Sequence, residues 1–368
     1  MAISAVRHRD RGRVIPAQGD YDRDEMAHRL ENWLGRVADA SEVEVTGIEA
    51  PGESGFSSET MLVDARITAG DGLQDRHLVI RTEPTGETVF PSYDLGLQYR
   101  VMDSVARHSD VPIAPLLWFE PDRSTLGRPF FVMERVEGEV PPDNIPYSMQ
   151  GFVLDASPAE QSRLQLSGID VLADLHAIDL DTAGLKIVDQ PEFGPTGLRQ
   201  QLGYYDHYLH WATQGRPQPT LERARSWLGA NLPDEPPPVL NWGDSRIGNI
   251  IYRDFQPVAV LDWEMVTLGP PEVDLAWYCM MHRFFTRNLG VPELPGFVSE
   301  EEVIHHYEKR SRHTVTDFGW YLLWGALRYG VIFLRIVKQR EDDPDFAFTE
   351  RDNPVIDLID GLLDEVGA

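Results

Sequence analysis

The chain has 368 residues, of which 42% are hydrophobic and 25% are charged, as expected for a globular protein with a substantial core. Its 33 basic and 60 acidic side chains give a net charge of −27, which disfavours nucleic acid and anionic membranes as partners. That charge would suit a cationic substrate, although a solvated acidic surface is the simpler explanation.

Three features bear on where the protein works. The only cysteine, Cys279, cannot form an intrachain disulfide, which fits a reducing compartment. Residues 1–20 are polar and lack the apolar core of a signal peptide. The most apolar long stretch, 321–337, contains Arg328 and Arg335, so we expect a buried helix there and not a membrane span. We therefore expect a soluble, cytoplasmic protein.

The first part of the chain is predicted to be rich in strands. Apolar side chains recur at helical spacing over 22–40, which predicts an opening helix, and a second helix is predicted over 95–107. Short apolar runs bounded by Gly, Asp and Pro predict four strands. These strands are 43–48, 60–67, 78–82 and 130–135.

The pattern becomes mostly helical after Gly138. Ser157, Pro158 and Glu160 have the order of a capping box at a helix start. Further helices are predicted over 198–212 and 220–230, from Asp274 onward, and from Asn353 to the end. Short strands are predicted between them, at 239–242, 250–252 and 258–261.

This order of elements predicts an α+β fold of two lobes. The boundary between the lobes is expected near 134–140, where a predicted strand is followed by Gly and Pro residues. We expect an N-terminal lobe at 1–136, made of a sheet with one main helix after an N-terminal helical extension. A larger, mostly helical lobe is expected at 137–368.

The segment with the clearest chemical pattern runs from Asn241 to Glu264. Asn249 follows Asp244 by five residues, and Asp262 lies 13 residues further on, at the end of a predicted strand. Phosphoryl transfer needs a carboxylate to orient the attacking hydroxyl and accept its proton, and oxygen ligands to hold magnesium on the phosphates. Asp244 is the candidate catalytic base, and Asn249 and Asp262 are candidate Mg²⁺ ligands, because oxygen donors without His or Cys fit magnesium better than zinc. A loop of turn-forming residues is the structural alternative.

The same segment resembles the catalytic loop and metal-binding strand of the aminoglycoside phosphotransferase and choline kinase family, which is related to the protein kinases. The residues that carry the resemblance are Asn241-Trp242-Gly243-Asp244-Ser245-Arg246-Ile247-Gly248-Asn249 and Leu261-Asp262-Trp263-Glu264. Their style is most similar to the branch associated with acyl-CoA dehydrogenases, and the resemblance extends from about Gly47 to about Tyr278.

The resemblance implies a protein kinase-like fold and an enzyme that uses ATP and Mg²⁺. The acceptor would be a hydroxyl of a small molecule, such as an aminoglycoside-like, hydroxyacyl or other hydroxylated metabolite. These are properties of the family that the motif resembles, and composition or spacing does not provide them.

The resemblance assigns the N-terminal lobe to the nucleotide. Gly52, Gly55, Ser57 and Ser58 lie between two predicted strands, where small residues let backbone N–H groups approach phosphate oxygens. A plain hairpin turn has the same composition. Arg81 takes the place of the family's phosphate-gripping lysine and can bind two oxygens at once, while an exposed strand-end arginine is the alternative.

Two further nucleotide-binding features follow from the resemblance. The family's glutamate partner of that lysine is replaced by Gln98, which can orient Arg81 by a hydrogen bond but cannot form an ion pair. The last predicted strand of this lobe resembles the hinge that contacts adenine. Met133 is then a candidate floor of the adenine pocket, with ordinary core packing as the alternative, and the backbones of Glu134 and Val136 are candidate adenine contacts.

Four residues near the motif carry structural expectations. Trp242 stands where the family usually has His, and a packed Trp could orient the loop instead. Asp274 is expected to be a helix N-cap or a partner for a loop residue. Arg246 is expected to pair with Asp274 or another carboxylate, or else to bind substrate or phosphate. His176 lies on an apolar helix face and is expected to be a hydrogen-bonded core residue.

Two aromatic clusters at helical spacing could line a substrate pocket, although core packing is the simpler explanation. They are Tyr204, Tyr205, Tyr208 and Trp211, and Met281, Phe284 and Phe285.

Two alternative functions remain open. Gln98 and Trp242 are compatible with a nucleotide-binding pseudokinase that acts as a sensor or scaffold. A protein kinase is the third alternative, but only residues 263–273 separate Asp262 from the next predicted helix. That spacing leaves little room for a peptide-docking loop.

Overall fold

The computed structural model describes residues 23–49, 59–70, 72–84, 86–143, 145–344 and 346–368. The predicted phosphate-binding positions Gly52, Gly55, Ser57 and Ser58 therefore lie outside the described residues.

The N-terminal lobe is built on an antiparallel sheet of five strands in the order β1-β2-β3-β5-β4. Helix α1 (Arg23–Val37) precedes β1 (Glu42–Glu49), β2 (Glu59–Ala69) and β3 (Gly72–Thr82), and α2 (Leu95–His108) leads to β4 (Leu116–Glu120) and β5 (Phe130–Glu134). The four predicted strands and both predicted helices are confirmed. Strand β4 was not predicted, because its five residues are all partly buried and show no alternation.

The two faces of this sheet have different neighbours. Successive side chains of a strand point to opposite faces. On β5, Phe130 and Val132 therefore pack in one core with α1, whereas Phe131 and Met133 belong to a second core that includes α2 and continues into the C-terminal lobe. The opening helix is thus part of the folded lobe.

The C-terminal lobe consists mainly of helices. They are α3 (Phe152–Asp155), α4 (Pro158–His176), α5 (Leu198–Thr213), α6 (Pro219–Ala230), α7 (Glu272–Arg283), α8 (Glu300–Ser311), α9 (Phe318–Gln339) and α10 (Pro354–Glu365). The predicted capping box at Ser157 is confirmed, since Ser157 and Glu160 bond to each other's backbone N–H groups. Two antiparallel pairs of short strands lie among the helices. One pairs β6 (Val239–Asn241) with β9 (Thr267–Gly269), and the other pairs β7 (Ile250–Arg253) with β8 (Gln256–Val260).

Helix α9 lies at the centre of the C-terminal lobe, in contact with α5, α6, α7 and α10. Among the described residues it is the one helix long and apolar enough to cross a membrane, but 83% of its most apolar stretch is buried inside the protein. Core helices of soluble proteins meet the same criteria of length and composition. The prediction of a buried helix over 321–337 is confirmed, and Arg328 and Arg335 are themselves buried.

The connection after β5 runs close to the β7–β8 pair. The N–H of Glu139 donates to the carbonyl of Tyr252 at 2.9 Å, and the N–H of Tyr252 donates back to Glu139 at 2.8 Å. A Cβ atom at Gly138 would lie 2.6 Å from the Tyr252 carbonyl, so only glycine fits this approach. The predicted division between residues 136 and 137 falls in this connection and stays a prediction.

A second contact joins the lobes through the segment between β3 and α2. The hydroxyl of Tyr208 donates to the carbonyl of Val89 at 2.6 Å. Arg335 of α9 donates to the carbonyl of Thr88 at 3.0 Å and to the carboxylate of Glu87 at 2.6 Å. This part of the chain is therefore held by helices α5 and α9 of the C-terminal lobe.

The packing of α1 gives a first prediction. Trp33 is 1% exposed, contacts Phe130 and Trp118, and donates a hydrogen bond to Glu120 at 2.7 Å. We expect Trp33→Ala to lower the free energy of unfolding by about 3–5 kcal/mol, because it leaves a cavity between α1 and the sheet. Urea denaturation measures this. The exposed neighbour Asn32→Ala is the control, and an equally small effect of both changes would show that α1 is not packed on the sheet.

Candidate active site

The loop after β6 holds the carboxylate of Asp244 among three side-chain donors. Oδ2 accepts hydrogen bonds from Nδ2 of Asn249 at 2.6 Å and from Nε of Arg246 at 3.1 Å. Oδ1 accepts a hydrogen bond from Nε1 of Trp277 at 2.8 Å. The side chain of Asp244 is 15% exposed. Donors on both oxygens fix the direction of the carboxylate, which a group that orients a reacting hydroxyl requires.

A buried carboxylate, Asp274 of α7, supports this loop from below. Its Oδ2 accepts a hydrogen bond from the N–H of Trp242 at 2.7 Å, and its Oδ1 accepts one from the N–H of Gly243 at 2.8 Å. Its carbonyl accepts a third from the hydroxyl of Ser245 at 2.7 Å. The predicted partnership with a loop residue is confirmed. The alternative role as N-cap is wrong, because the cap position of α7 lies three residues earlier.

The side chain of His176 lies between Asp274 and helix α8. Its Nε2 lies 3.1 Å from Oδ2 of Asp274, and its Nδ1 lies 2.8 Å from the hydroxyl of Tyr307. His176 is 8% exposed. It is a hydrogen-bonded core residue, as predicted.

Gly243 is the position at which the loop passes closest to other backbone. Its φ is +96°, in the left-handed region that favours glycine. A Cβ atom at this position would lie 2.2 Å from the carbonyl of Met265. No other residue fits here without moving the loop that carries Asp244.

Trp242 joins the loop to the segment that carries Asp262. Its indole is fully buried, and Nε1 donates to the carbonyl of Leu261 at 2.8 Å and to that of Asp262 at 3.1 Å. The packed tryptophan therefore orients the loop, which is the role predicted for it.

Asn249 and Asp262 lie on adjacent segments beside Asp244. The N–H of Leu261 donates to the carbonyl of Asn249 at 2.8 Å, which joins the two segments. Asn249 uses its amide nitrogen for Asp244, so its amide oxygen is left for another partner. Oδ1 of Asp262 is buried and has no hydrogen-bond donor among the described residues. Burial raises the pKa of Asp262, and the charge of Arg81 opposes this rise while that of Asp244 adds to it.

The backbone at Asp262 is also unusual. Its φ is +59°, in the left-handed region that Asp and Asn adopt more readily than other side chains. Strained backbone and a buried, unsatisfied oxygen at one residue are typical of functional sites.

Arg81 reaches this place from the N-terminal lobe. It lies near the end of β3, its side chain is 16% exposed, and Nη2 lies 3.7 Å from Oδ1 of Asp262. The alternative of an exposed strand-end arginine is therefore wrong. Gln98 is buried, but among the described residues its side chain forms no hydrogen bond with Arg81. Asp262 takes the orienting role that was expected of Gln98.

Arg246 pairs with Asp143 and Asp244. Nη1 of Arg246 donates to Oδ2 of Asp143, in addition to the contact of Nε with Asp244. Burial lowers the pKa of Arg246, but the two carboxylates outweigh this effect and hold the pKa above its ordinary value. The expected pairing of Arg246 with a carboxylate is confirmed. The partners are Asp143 and Asp244 and not Asp274, whose oxygens already accept backbone N–H groups and contact His176.

The predicted hinge residues lie at the end of β5 and just after it. Met133 is 6% exposed and packs in the core, which agrees with ordinary core packing, the alternative to a place in the adenine pocket. The N–H of Glu134 donates to the carbonyl of Pro115 at 2.9 Å, so only the carbonyl of Glu134 is left for a ligand. Within the described ranges, the N–H of Val136 donates to no carbonyl. The assignment of these residues to adenine stays a prediction.

The first aromatic cluster is part of the protein core. Tyr205 packs edge-on against Trp324 at 5.2 Å. The rings of Tyr204 and Tyr208 each contact the ring of Tyr205. Trp211 lies under the guanidinium of Arg335 at 4.3 Å. Core packing, the simpler interpretation, accounts for these contacts.

The second cluster lies partly against a narrow cleft. Met281 and Phe285 line this cleft together with Tyr147, His282 and Arg246. Burial lowers the pKa of His282 to about 4, and its Nδ1 lies 2.7 Å from the hydroxyl of Tyr147. The cleft is therefore lined mainly by aromatic and neutral groups up to the point where it meets the ion pair of Arg246 and Asp143.

Two residues of the site are absent from the prediction. Trp277 and Asp143 contact Asp244 and Arg246 from distant parts of the chain. A lone Trp in a helix and a lone Asp in a loop carry no local pattern, so only the folded chain identifies them.

The support of the loop gives a second prediction. Asp274→Ala removes the acceptor of two buried N–H groups and of His176, so we expect the free energy of unfolding to fall by about 3–5 kcal/mol. Asp360→Ala, which breaks an exposed pair with Arg223, should change it by about 1 kcal/mol or less. Urea denaturation of both variants measures the difference, and similar losses would contradict the role given to Asp274.

Solved structures with the same fold include two phosphotransferases. A protein of Ralstonia eutropha JMP134, provisionally assigned as an aminoglycoside phosphotransferase, superposes with a TM-score of 0.66 at 24% identity, over 92% of this chain and 98% of that one. A thermostable mutant of aminoglycoside phosphotransferase APH(4)-Ia, in a ternary complex with AMP-PNP and hygromycin B, superposes with a TM-score of 0.57 at 17% identity, over 92% and 99%. At these identities the likeness establishes the kinase-like, two-lobed α+β fold.

Curated relatives are larger proteins that contain a matching segment. Acyl-CoA dehydrogenase family member 10 of Mus musculus is 30% identical over 234 residues, which are 62% of this chain and 20% of the mouse protein. Acyl-CoA dehydrogenase family member 11 of Gallus gallus is 32% identical over 220 residues, which are 58% of this chain and 26% of the chicken protein. The matched segment thus spans about a quarter of these relatives, and it agrees with the branch that the motif resembles.

The family assignment rests on most of the chain. Residues 52–311 match the Phosphotransferase enzyme family, and this range contains Arg81, Asp244, Asn249 and Asp262. The chain is a member of that family of phosphotransferases.

Proposed function

We propose that the protein is an ATP- and Mg²⁺-dependent kinase that transfers the γ-phosphate to a hydroxyl of a small molecule. One observation carries this proposal. The side chain of Asn249 donates to the carboxylate of Asp244, and the backbone of Asn249 is hydrogen-bonded to Leu261, the residue before Asp262. Arg81 of the other lobe lies beside the carboxyl of Asp262. A base, two oxygen ligands and a phosphate-binding cation at one place are the parts that phosphoryl transfer requires.

The residues present fit a magnesium ion. Asp262 offers a buried oxygen without a donor, and Asn249 offers an amide oxygen that its contact with Asp244 leaves open. Both are hard oxygen ligands, and one or two such ligands together with substrate phosphates are the usual protein contribution to a magnesium site. When bound, the ion neutralises charge on the phosphate oxygens.

The carboxylate of Asp244 would orient the acceptor. Trp277 and Asn249 hold its two oxygens, so its remaining lone pairs point in a fixed direction. A hydroxyl that donates to this carboxylate would be positioned for in-line attack on the γ-phosphorus. As the new oxygen–phosphorus bond forms, the bond between the γ-phosphorus and the β-phosphate oxygen breaks, ADP leaves, and the proton of the hydroxyl passes to Asp244.

Two arginines would balance the charge of the phosphates. Arg246 is fixed beside Asp244 by Asp143, and Arg81 lies beside Asp262. Planar guanidinium groups match phosphate oxygens in geometry and stay protonated, so the pair can hold the transferring group from two sides.

The nucleotide would bind between the lobes. The N–H of Val136 is available to a base, and Arg81 lies where the phosphates of such a nucleotide would extend. The roles of Gly52, Gly55, Ser57 and Ser58 stay predictions, since they lie outside the described residues.

The acceptor class is the finer part of the proposal. The relatives named as acyl-CoA dehydrogenases suggest a hydroxyacyl compound, and the complex with hygromycin B suggests an amino sugar. A hydroxylated small molecule is common to both.

A third prediction tests Asp244. Asp244→Asn keeps the size of the side chain but removes the proton acceptor, so we expect kcat to fall by about a hundredfold or more with nucleotide binding retained. Acceptor-dependent ADP release and a thermal shift with ATP and Mg²⁺ measure the two properties. The control Asp206→Asn makes the same chemical change at an exposed pair with Arg225.

The outcome also separates a kinase from a pseudokinase. The missing hydrogen bond between Gln98 and Arg81 is the observation that favours a pseudokinase. Nucleotide binding without ADP release for any alcohol would favour it, and equal turnover of Asp244→Asn and the unaltered protein would reject the role of Asp244.

A fourth prediction tests Arg81. Arg81→Ala removes a charge-assisted phosphate contact, so we expect kcat/KM for ATP to fall by about tenfold to a hundredfold. Arg66→Ala on β2 is the matched control, because Arg66 is 51% exposed and pairs with Glu44. Steady-state kinetics with varied ATP measures both. Equal values for the two variants would remove Arg81 from the site.

A further inference from the structure

A buried arginine without a carboxylate partner lies beside the catalytic loop. Arg328 of α9 is 2% exposed, and no described carboxylate lies within ion-pair distance of it. Its Nη2 donates to the carbonyl of Gly243 at 3.0 Å and its Nε to the hydroxyl of Tyr205 at 3.4 Å. Its Nη1 is buried and has no hydrogen-bond acceptor among the described residues.

Arg335, on the same helix, is a buried arginine that has a carboxylate partner, and it can be compared with Arg328. It is 7% exposed and lies over a tryptophan ring, as Arg328 does, but it also pairs with Glu87 and donates to Thr88. Buried charges in proteins are normally paired, and an unused donor on a buried cation is unfavourable until an anion or acceptor meets it. Arg328 is therefore short of one acidic or oxygen-rich partner.

The guanidinium of Arg328 is close to the proposed catalytic base. Its Cζ lies 4.6 Å above the ring of Trp277, and Nε1 of that tryptophan donates to Asp244. The carbonyl that Arg328 contacts belongs to Gly243, which precedes Asp244 in the chain. One indole thus separates the cation from the carboxylate that would orient the acceptor hydroxyl.

The next residue of α9, Tyr329, also contacts Trp277. It is partly exposed, and its ring packs against Trp277 at 6.1 Å and against Phe284 at 5.0 Å. Its hydroxyl forms no hydrogen bond with any described residue. Burial raises the pKa of Tyr329, and the charges of Arg246, Asp143 and Asp244 also act on it, so this phenol lies near the catalytic loop.

We propose that Arg328 forms an acceptor subsite that binds a carboxylate, or an equivalent anionic oxygen group, of the molecule whose hydroxyl is phosphorylated. The subsite rests on the proposed function, because it places the anionic group of the acceptor at a fixed distance from Asp244. Trp277 and Tyr329 would cover the carbon chain between the two ends of such an acceptor.

Access to Arg328 requires a side chain to turn. The guanidinium is covered in this structure, and Tyr329 is its partly exposed neighbour on α9. Side-chain rotation at binding sites is common and leaves the backbone in place. An arriving carboxylate would then take the unused Nη1 donor while Gly243 keeps its contact with Nη2.

Binding of matched ligands tests the subsite. The probes are ω-hydroxy acids of graded chain length, each with the diol and the ω-amino alcohol of the same length, so that only the charge of the far end differs. Calorimetry with the full chain, AMP-PNP and Mg²⁺ gives dissociation constants without turnover. For at least one chain length, we expect the hydroxy acid to bind about tenfold to a hundredfold more tightly than the diol.

Three variants identify the residue responsible. Arg328→Met should abolish the preference for the acid over the diol, and Arg328→Lys should keep part of it. Arg335→Met, a change at the other buried arginine of α9, should leave the ratio unaltered. The ratio within each variant is the readout, because damage to the loop at Gly243 would weaken all three ligands together.

The subsite is wrong if the hydroxy acid binds no better than the diol at every length, including no binding at all, or if Arg328→Met retains the preference. Turnover of diols or amino alcohols alone would keep the proposed kinase and reject the subsite. Binding of hydroxy acids that depends on Arg328, without phosphoryl transfer, would keep the subsite and reject the kinase.

Discussion

The loop that carries Asp244 depends on one buried carboxylate. Asp274 accepts the N–H groups of Trp242 and Gly243, two consecutive peptide units whose donors would otherwise be buried without partners. A charged acceptor makes these hydrogen bonds stronger than neutral ones, and the surrounding low dielectric adds to the effect. Asp244 follows directly in the chain, so its position relative to α7 is determined by this contact. The indole N–H of Trp242 donates to the carbonyl of Asp262, so the same loop also fixes the position of Asp262.

Arginines are concentrated at the candidate site of an acidic molecule. The net charge of −27 suggests a protein that attracts cations. Three arginines nevertheless lie around Asp244 and Asp262, two from the C-terminal lobe and one from the N-terminal sheet. They are Arg246, Arg328 and Arg81. Because charges within a few ångströms act more strongly than distant, solvated ones, Arg81 and Arg246 offset the neighbouring carboxylates Asp262 and Asp244.

Much of this arrangement could be predicted from the sequence, because its signals are local. Apolar periodicity predicted α1, α2 and α9, and the capping box at Ser157 marked the start of α4. The spacing of Asp244, Asn249 and Asp262 predicted that these residues lie together, because one loop and one strand end carry all three. Strand β4 has no alternation and was missed. The carboxylate pairing of Arg246 was predicted, but the choice between Asp274 and another carboxylate was not. Backbone N–H groups already occupy the oxygens of Asp274, and a sequence does not show such competition.

Helix α9 connects two parts of the molecule that are otherwise far apart in the chain. Arg328 contacts the loop that carries Asp244, and Arg335, seven residues further on, binds the segment that follows β3. Residues at this spacing lie on the same side of a helix, about 10 Å apart along its axis. A displacement of this helix along its axis would therefore move both contacts together.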